Sequence, residues 1–569
     1  MHSLLILYGS ETGTAEDVAE SLWKEARLLD VPARLFGMDE YDVENLPNEH
    51  AVVFVVATTG QGEIPPNMRS AWLRMLRKSL PRDWLQRITF GVFGLGDSSY
   101  QKYNFASKKL YRRLIQLGGN SLLSIGLVRL YEFPFEFSVA ADDQHELGID
   151  GALIPWKTEF WEKLRSTGLF DNMKPEIDHS TIVPPKYQLL FESDSPETRV
   201  KSDAESYHEV VVDSNCRVTA TEHFQDTRLV KFSSTDLPPY IYDPGDVLMV
   251  QPCNLSESIH IALGALKYPD EVLDRPLQLL PSDEFVKLPP KWLIGTKPTL
   301  RTCFLRLFDL QMIPRKSFFL TLASISTDPD EKEKLLEFAS PQGLDDYLDY
   351  AVRCRRTTAE VLRDFSTTSA AIPPERLFDL FTNIRPRAFS IASAPSKNSI
   401  EILVAKVEYK TRMAEPRRGL CSTFISRLKP GDNVFVKIRP GTFKFPEEDK
   451  PVICVGPGTG VAPFRRKKLD FYFESEWSEM PSTQVFTAFS RDTPGQKVYV
   501  QNLILKHADE VWDIIGREDG FVFIAGSAGD MPKDVGAALE AVASDHGYTE
   551  GTFLKKLESS GRIQYETWS

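Results

Sequence analysis

The chain has 569 residues, of which 42% are hydrophobic, and its formal net charge is −13. A chain of this length predicts about three or four domains, and its hydrophobic content is that of an ordinary globular protein. The acidic balance disfavours a nucleic-acid partner, because phosphates would repel it, and favours either simple solubility or docking to a basic protein surface.

The cysteines, histidines and apolar runs argue against metal-binding, disulfide-stabilised and membrane-spanning proteins. The six cysteines form no C-x-x-C pair and the nine histidines no H-E-x-x-H spacing, so we expect no bound metal and no disulfide framework. Apolar runs such as residues 51–57 are far shorter than the ~18 residues of a membrane span. No signal peptide pattern precedes the first strand. We expect a cytoplasmic protein without a membrane partner.

Residues 1–166 alternate strand and helix patterns. Apolar strands are predicted at residues 4–8, 51–57 and 88–93, each followed by a loop rich in glycine or hydroxyl groups. The alternation predicts a parallel, doubly wound α/β sheet. Its ligand would lie where the loops at residues 10–14, 57–67 and 94–104 leave the carboxyl ends of the strands.

The loop at residues 10–15 has the features of a phosphate site. It leads from a strand into a helix N-terminus, whose unpaired N–H groups and positive dipole end favour an anion. It has neither the Gly-Lys-Ser/Thr of a Walker loop nor the three spaced glycines of a dinucleotide fingerprint. Taken alone, the loop is also compatible with an ordinary turn capped by a hydroxyl.

The remaining chain predicts a linker and two further domains. Residues 167–205 are polar, contain prolines and lack periodicity, which predicts a linker that lets two domains move. A strand-rich domain is predicted at 206–446, with helical patterns near 257–370. Residues 447–569 alternate again, with strands predicted at 451–456, 483–489 and 520–526.

Two stretches in the second half carry groups suited to phosphates and to a planar ring. Arg387, Phe389 and Ser390 alternate a cation, an aromatic ring and a hydroxyl on a predicted strand, a combination that can bind a phosphate and stack on a planar ring. Residues 419–422 begin a helix whose N-terminus suits a pyrophosphate. Ordinary strand composition and simple serine capping are the alternatives.

The last domain carries groups suited to NADP. A glycine turn at residues 456–460 leaves Thr459 free to reach a phosphate. Ser490, Arg491, Lys497 and Tyr499 combine cations and hydroxyls after a predicted strand, which favours the extra phosphate of NADP over NAD. A solvated surface cluster is the alternative.

Eight motifs follow one another over nearly the whole chain: SETGTAED, TTGQGEIPPN, GLGDSSYQKYN, RPRAFSIAS, RRGLCS, GPGTGVAPF, KVYVQ and ETWS. Together they resemble the diflavin reductase family. The resemblance implies a multidomain α/β and β fold: a flavodoxin-like doubly wound FMN domain (1–166), a linker, a ferredoxin-reductase-like FAD β-barrel with a helical insertion, and an NADP-binding α/β domain.

The resemblance also implies electron transfer from NADPH through FAD and FMN to a one-electron acceptor. The wording of several motifs is most similar to the cytosolic branch of the family, whose acceptor is an anamorsin-type iron–sulfur protein of cytosolic iron–sulfur cluster assembly. Two alternatives stay open: a flavin-binding adaptor with impaired turnover, and a reductase for a haem protein or a sulfite reductase partner.

By motif, the resemblance implies one set of residues for each cofactor. For the FMN phosphate the set is Ser10, Glu11, Thr12, Gly13, Thr14 and Ala15, and for the FMN ring it is Thr58, Thr59, Gly60, Gln61, Gly62, Leu95, Gly96, Asp97, Ser98, Ser99, Tyr100, Gln101, Lys102, Tyr103, Asn104 and Asp143. For FAD it is Arg355, Arg387, Ala388, Phe389, Ser390, Gly419, Leu420, Cys421, Ser422 and Trp568. For NADPH it is Thr459, Ser490, Arg491, Lys497, Val498, Tyr499, Val500, Gln501 and Asp534.

Three residues are implied in the hydride step. Ser390 and Glu566 would support hydride and proton transfer by hydrogen bonding. Trp568 would cover the FAD ring and move aside when the nicotinamide enters.

Two stretches depart from the family pattern. After residue 464 only residues 465–469 precede DFYFESEWSE, where family members carry about one further αβ unit, so we expect a missing strand beside the nicotinamide site. Residues 128–140 are additional, and we expect them to interrupt the loop before DDQHELG. Both departures suggest misplaced exon boundaries, a hypothesis that transcript sequencing tests; if they are real, hydride transfer would be impaired.

Overall fold

The computed structural model describes residues 2–59, 62–96, 103–123, 140–142, 149–177, 183–191, 207–233, 242–394, 399–446, 450–467, 484–488 and 497–568. The chain divides into two compact units. The first comprises residues 1–199, 254–385 and 411–415, and the second comprises residues 200–253, 386–410 and 416–569. Among the described residues, no helix is long and apolar enough to cross a membrane.

Strands and helices follow in chain order. Up to residue 191 they are β1 (Leu4–Gly9), α1 (Thr14–Leu28), β2 (Ala33–Gly37), β3 (Ala51–Ala57), α2 (Arg69–Met75), β4 (Thr89–Gly96), α3 (Phe105–Gln116), β5 (Asn120–Ser121), β6 (Ala140–Asp142), α4 (Asp150–Ser166) and β7 (Tyr187–Leu190). Next come β8 (His208–Arg217), β9 (Thr227–Ser233) and β10 (Val247–Gln251). The helical insertion then holds α5 (Ser256–Leu266), α6 (Asp270–Leu273), β11 (Gln278–Pro281), α7 (Lys291–Ile294), α8 (Leu300–Arg306), α9 (Lys316–Ile325), α10 (Pro329–Ala339), α11 (Leu344–Tyr347), α12 (Thr358–Asp364), α13 (Ser366–Ala370) and α14 (Leu377–Leu380).

The second half continues this order. It contains β12 (Arg387–Ser390), β13 (Ser399–Ala405), β14 (Glu408–Tyr409), β15 (Arg417–Arg418), α15 (Leu420–Arg427), β16 (Asn433–Arg439), β17 (Val452–Val455), α16 (Val500–Lys506), α17 (Ala508–Trp512), β18 (Phe521–Ser527), α18 (Asp530–Asp545), α19 (Phe553–Ser559) and β19 (Ile563–Trp568). A 3-10 segment, Gly458–Lys467, follows β17.

The first sheet is parallel, with the strand order β2-β1-β3-β4-β5, and β6 also pairs with β4. Along β1, Leu4 and Ile6 pack into one apolar cluster and Leu5 and Leu7 into another. Both faces of the sheet are therefore covered, as parallel sheets require. The order is that of flavodoxin-like folds, which confirms the predicted doubly wound domain.

Strands β5 and β6 pair with β4 one after the other along the same side, and residues 128–139 of the additional stretch lie outside the described residues. Ser121 of β5 is opposite Phe90, so an uninterrupted strand would place residue 125 opposite Gly94. Ala140 of β6 is found opposite Gly94 instead. Strands β5 and β6 are therefore in the register of one continuous strand. Ala140, which was predicted in the following loop, lies in a strand instead, so the prediction was wrong for this residue. Pairing resumes because β4 still presents its backbone groups beyond Phe90.

Part of the predicted linker is regular structure. Strand β7 pairs antiparallel with β11 of the insertion. Along β7 the buried Tyr187 and Leu189 alternate with the exposed Gln188 and Leu190, so the segment has one apolar face that can pack. The prediction of an irregular linker was therefore wrong for these residues.

The second unit holds an antiparallel sheet with the order β12-β10-β16-β8-β9-β13. A bridge between Ile391, directly after β12, and Ile402 of β13 joins the two ends of this order into a barrel. Its interior is a cluster of aliphatic residues that includes Val212, Val230 and Leu248. This arrangement matches the predicted FAD-domain barrel.

The last sheet has three parallel strands in the order β17-β18-β19 within the described residues. The predicted strand at 483–489 is not formed at residues 484–488, where Val485 and Phe486 are 36% and 46% exposed. A strand needs a neighbour to satisfy its backbone groups, and the family resemblance implies that about one αβ unit is missing after residue 464. The strand prediction was therefore wrong at residues 484–488, and the predicted loss of a strand beside the nicotinamide site stays a prediction.

The split strand gives a direct test. Deleting residues 125–139 joins the two halves while preserving the pairing of Ala140 with Gly94. We expect the FMN domain of this variant to be more stable by about 1–2 kcal/mol, because a loop closure is removed, and to retain FMN. The measurement is the melting temperature, followed by the rise in flavin fluorescence as FMN is released.

A glycine–serine replacement of the same length is the control, since it keeps the interruption and should not gain this stability. A deletion variant that loses FMN or melts earlier would contradict the split-strand interpretation.

Candidate flavin and nicotinamide sites

The loop after β1 has the geometry of an anion site. The N–H of Ser10 donates to Asn67 Oδ1 at 2.7 Å, and the N–H of Gly13 donates to Ser10 Oγ at 3.0 Å. Gly13, the N-cap of α1, has a left-handed φ of 96° and provides no side-chain cap. The first-turn N–H groups of a helix have no intrahelical acceptor. The residues present therefore fit a phosphate.

The loops after β3 and β4 lie at the same edge of the sheet. The N–H of Thr58 donates to Leu95 O at 2.9 Å, and Thr58 Oγ1 accepts from the N–H of Ala106, in the first turn of α3, at 3.3 Å. Asn104, the N-cap of α3, is fully buried. Lys108 Nζ lies 5.3 Å from the centroid of the Tyr103 ring. The predicted FMN residues among these are thus brought together.

Several predicted site residues lie outside the described part of the chain, and their roles stay predictions: Gly60, Gln61, Asp97, Ser98, Ser99, Tyr100, Gln101, Lys102, Asp143, Ser490 and Arg491.

Helix α1 carries a row of charges that the sequence analysis did not identify as part of the site. Arg385 Nη2 lies 2.6 Å from Glu16 Oε2, Arg315 Nη2 lies 3.4 Å from Asp17 Oδ2, and Lys186 Nζ lies 2.5 Å from Glu20 Oε1. A cavity of about 30 Å³ lies along this row between α1 and the helical insertion. The acidic residues at positions 16, 17 and 20 were a signal for such a row, but their partners are distant in sequence.

The pKa values of two neighbouring carboxyls in this row shift in opposite directions. Burial raises the pKa of Asp17 to about 6, although Arg315 and Arg385 lower it. Burial also raises the pKa of Glu20, but Lys186 and Lys24 outweigh it and lower the pKa to about 2. Glu20 is therefore firmly ionised at neutral pH, whereas Asp17 titrates close to it.

Residues predicted for FAD meet on the barrel. Arg387 of β12 is opposite Val250 of β10, and Cys421 Sγ lies 4.0 Å from Val250 O, so the start of α15 lies beside Arg387. Burial raises the pKa of the Cys421 thiol to about 12, although Arg387 lowers it, which makes this cysteine a packing residue. Gly419, the N-cap of α15, provides no side-chain cap, so the helix start fits a pyrophosphate.

Two FAD predictions fit less simply. Ser422 Oγ accepts from the N–H of Val407 at 3.0 Å and donates to Gly419 O at 3.3 Å, so its hydroxyl supports the backbone. Arg355 belongs to the first unit and has a left-handed φ of 53°. Both assignments stay predictions.

The residues predicted for the hydride step are brought together in the second unit. Ser390 Oγ donates to Glu566 Oε1. Glu566 and Trp568 are two residues apart on β19, opposite Ala525 and Ser527 of β18, so they share a face of the strand. Trp568 is 39% exposed at the carboxyl end of β19. An exposed indole at this position suits a ring that covers a flavin and moves aside.

The nicotinamide end is built on β17 and β18. Thr459 lies in the 3-10 segment after β17. A Cβ on Gly460 would lie 2.1 Å from Ala525 O, so the turn can approach β18 only with glycine there. Gln501 Nε2 donates to Asp534 Oδ2 at 3.0 Å, which joins α16 to α18. Lys497 and Tyr499 are exposed before α16, with Val498 and Val500 beside them.

Comparison with known proteins identifies the families of two domains. Residues 6–156 match the family described as Flavodoxin, and residues 201–424 match the family described as FAD binding domain. A flavodoxin-like sheet joined to a FAD-binding barrel and a nicotinamide domain defines a diflavin reductase. No group of three or more His, Cys, Asp or Glu side chains that could hold a metal ion occurs among the described residues.

Full-length relatives give the family. The chain is 40% identical to NADPH-dependent diflavin oxidoreductase 1 of Danio rerio over 618 positions, covering 100% of both chains. It is 40% identical to the protein of the same name from Xenopus laevis, covering 100% of this chain and 99% of the relative, and 33% identical to that from Emericella nidulans, covering 100% and 97%. The chain belongs to the NADPH-dependent diflavin oxidoreductase 1 family. It is an oxidoreductase that uses FMN, FAD and NADPH.

The pair formed by Ser390 and Glu566 generates the first prediction for the site. Ser390→Ala removes a hydrogen bond to the carboxylate, and we expect flavin reduction by NADPH to slow at least tenfold while FAD content is unchanged, the usual scale for a positioned acid–base pair. Anaerobic stopped-flow absorbance measures the rate.

Ser426→Ala, which removes a hydroxyl bonded to Thr423 O in α15, is the control and should leave the rate unchanged. Loss of FAD in step with the loss of rate would show that Ser390 is structural instead.

The raised pKa of Asp17 generates a pH prediction. Because the folded value of about 6 exceeds the ordinary 3.8, the folded state binds the proton more tightly, and stability falls as pH rises through 6. A shift of about two units corresponds to about 3 kcal/mol, and the side chain is only 11% exposed. We expect Asp17→Asn to gain melting temperature relative to wild type as the pH rises from about 4 to 7, with most of the gain between the unfolded and folded pKa values of 3.8 and about 6.

Asp30→Asn provides the comparison, because Asp30 pairs with Lys174 at an exposed position and should show no such pH dependence. If the melting temperatures of Asp17→Asn and wild type change in parallel with pH, the raised pKa of Asp17 is contradicted.

Proposed function

We propose that this chain delivers electrons to an anamorsin-type iron–sulfur protein of cytosolic iron–sulfur cluster assembly. The observation that carries the proposal is the shared edge of the first sheet, where the loops after β1, β3 and β4 meet. Glu11 and Thr12 are exposed there, so a flavin at this edge would be accessible to a protein acceptor. The net charge of −13 favours an acceptor with a basic rim.

In this reaction the chain's own residues bind and orient the flavins and NADPH. The bound flavins supply hydride and single-electron chemistry. The loop at residues 10–15 binds the FMN phosphate, Arg387 and the start of α15 bind FAD, and Ser390 and Glu566 hold a hydrogen bond at the hydride site. Trp568 excludes water from the FAD ring until the nicotinamide enters.

The acceptor is tested by anaerobic mixing. The protein reduced by NADPH is mixed separately with an oxidised anamorsin-type [2Fe–2S] protein, a haem protein and a sulfite reductase haemoprotein. We expect the iron–sulfur protein to be reduced fastest, at a rate that falls with ionic strength because acidic and basic surfaces attract each other. Faster reduction of either haem protein would overturn the choice of acceptor.

A second candidate function is a flavin-binding adaptor with little turnover. The observation that favours it is the third sheet, in which residues 484–488 form no strand within the described part. The same mixing experiment distinguishes the two functions. Flavin bleaching by NADPH supports the reductase, whereas flavins that bleach with dithionite but not with NADPH support the adaptor.

We also place the activity in the cytoplasm. None of the six cysteines forms a disulfide, which supports a reducing compartment. Fractionation of cells that express a tagged chain tests this location.

A further inference from the structure

Arg385 lies against the phosphate loop, although it is far away in the sequence. A Cβ built on Gly13 would lie 2.8 Å from Arg385 Nε and 3.5 Å from Arg385 Cζ, so the guanidinium packs on the backbone of the helix N-cap. Its Nη2 reaches Glu16 Oε2 at 2.6 Å in the first turn of α1. Both contacts lie within the first unit.

The charges around this loop pose an electrostatic problem. Glu16 and Asp17 both lie in the first turn of α1, and such carboxylates oppose the positive end of the helix on which a phosphate dianion depends. Burial alone would lower the pKa of the Arg385 guanidinium, but the field and hydrogen bond of Glu16 raise it above its ordinary value. The cation is therefore retained next to the loop.

We propose that Arg385 is a further residue of the FMN site, whose positive charge offsets Glu16 and attracts the FMN phosphate. The proposal rests on the assignment of residues 10–15 to that phosphate. With the Arg385 side chain 26% exposed, solvent screens the charge only in part. The substitution with the clearest expected effect is therefore one that removes the charge and keeps the shape.

The test measures flavin binding by the full-length protein after FMN has been removed. Fluorescence titrations use FMN and, separately, riboflavin, which has the same ring but no phosphate. We expect Arg385→Gln to weaken FMN binding roughly tenfold, the scale of one charge interaction, and to leave riboflavin binding unchanged. Glu16→Gln should tighten FMN binding, and the double variant should return toward wild type.

Arg34→Gln is the matched control. Arg34 also pairs with a glutamate, Glu49 at 2.6 Å, and lies in the same unit. It is on β2 at the opposite end of the sheet from the phosphate loop, so neither flavin should bind differently.

Two outcomes would overturn distinct parts of the argument. If Arg385 only fastens α1 to the insertion, then Arg385→Gln and Glu16→Gln would both weaken FMN and riboflavin alike, and the proposal fails. If the wild-type protein binds FMN no more tightly than riboflavin, the assignment of the loop fails instead. Should Arg385→Gln not fold, Glu16→Gln decides alone: tighter FMN binding supports the proposal, and unchanged or weaker binding overturns it.

Discussion

Helix α1 packs against the parallel sheet on one face and pairs with cations on the other. The position of the proposed FMN phosphate loop depends on this helix. One face buries Ala15, Val18 and Leu22 against the parallel sheet, which fixes the helix axis relative to β1. The position of Gly13 then follows, because only one turn separates the end of β1 from the start of the helix. Loop, helix N-terminus and strand end therefore form one rigid anion site.

The other face of α1 explains why the helical insertion belongs to the same compact unit as the flavodoxin sheet. Glu16, Asp17 and Glu20 each contact a cation from outside the flavodoxin domain. Partly buried carboxylates of this kind are costly to desolvate and are retained where cations compensate them. The opposite pKa shifts of Asp17 and Glu20 show that the compensation is uneven: two lysines act on Glu20, whereas burial dominates at Asp17.

The sequence allowed much of the fold to be predicted where the signal is local. The strands at 51–57 and 520–526 were predicted nearly to their bounds because continuous apolar runs mark strands buried on both faces. The strand predicted at 483–489 is not formed at residues 484–488, because an apolar run alone does not determine whether a strand finds a pairing partner. Strand β7 was missed because its apolar alternation is short and lies among polar residues.

The candidate site residues also differ in whether a local sequence signal identifies them. Gly13, Ser390 and Glu566 were identified because each stands in a motif, and the structure places Ser390 against Glu566. Arg385 stands only two residues before Arg387 in the same motif, yet its contact with Gly13 joins distant segments, which no local pattern encodes.

The departures after residue 464 bear on binding more than on the hydride step. Ser390, Glu566 and Trp568 are held by β12, β18 and β19, whose pairing does not involve the missing strand. Gly460 still packs on Ala525, so the turn after β17 keeps its close approach to β18. By contrast, residues 484–488, which precede the residues predicted to recognise the extra phosphate, belong to no strand. Within the described residues, the groups of the reacting end are therefore held by paired strands, whereas this segment before the predicted phosphate-binding residues is not.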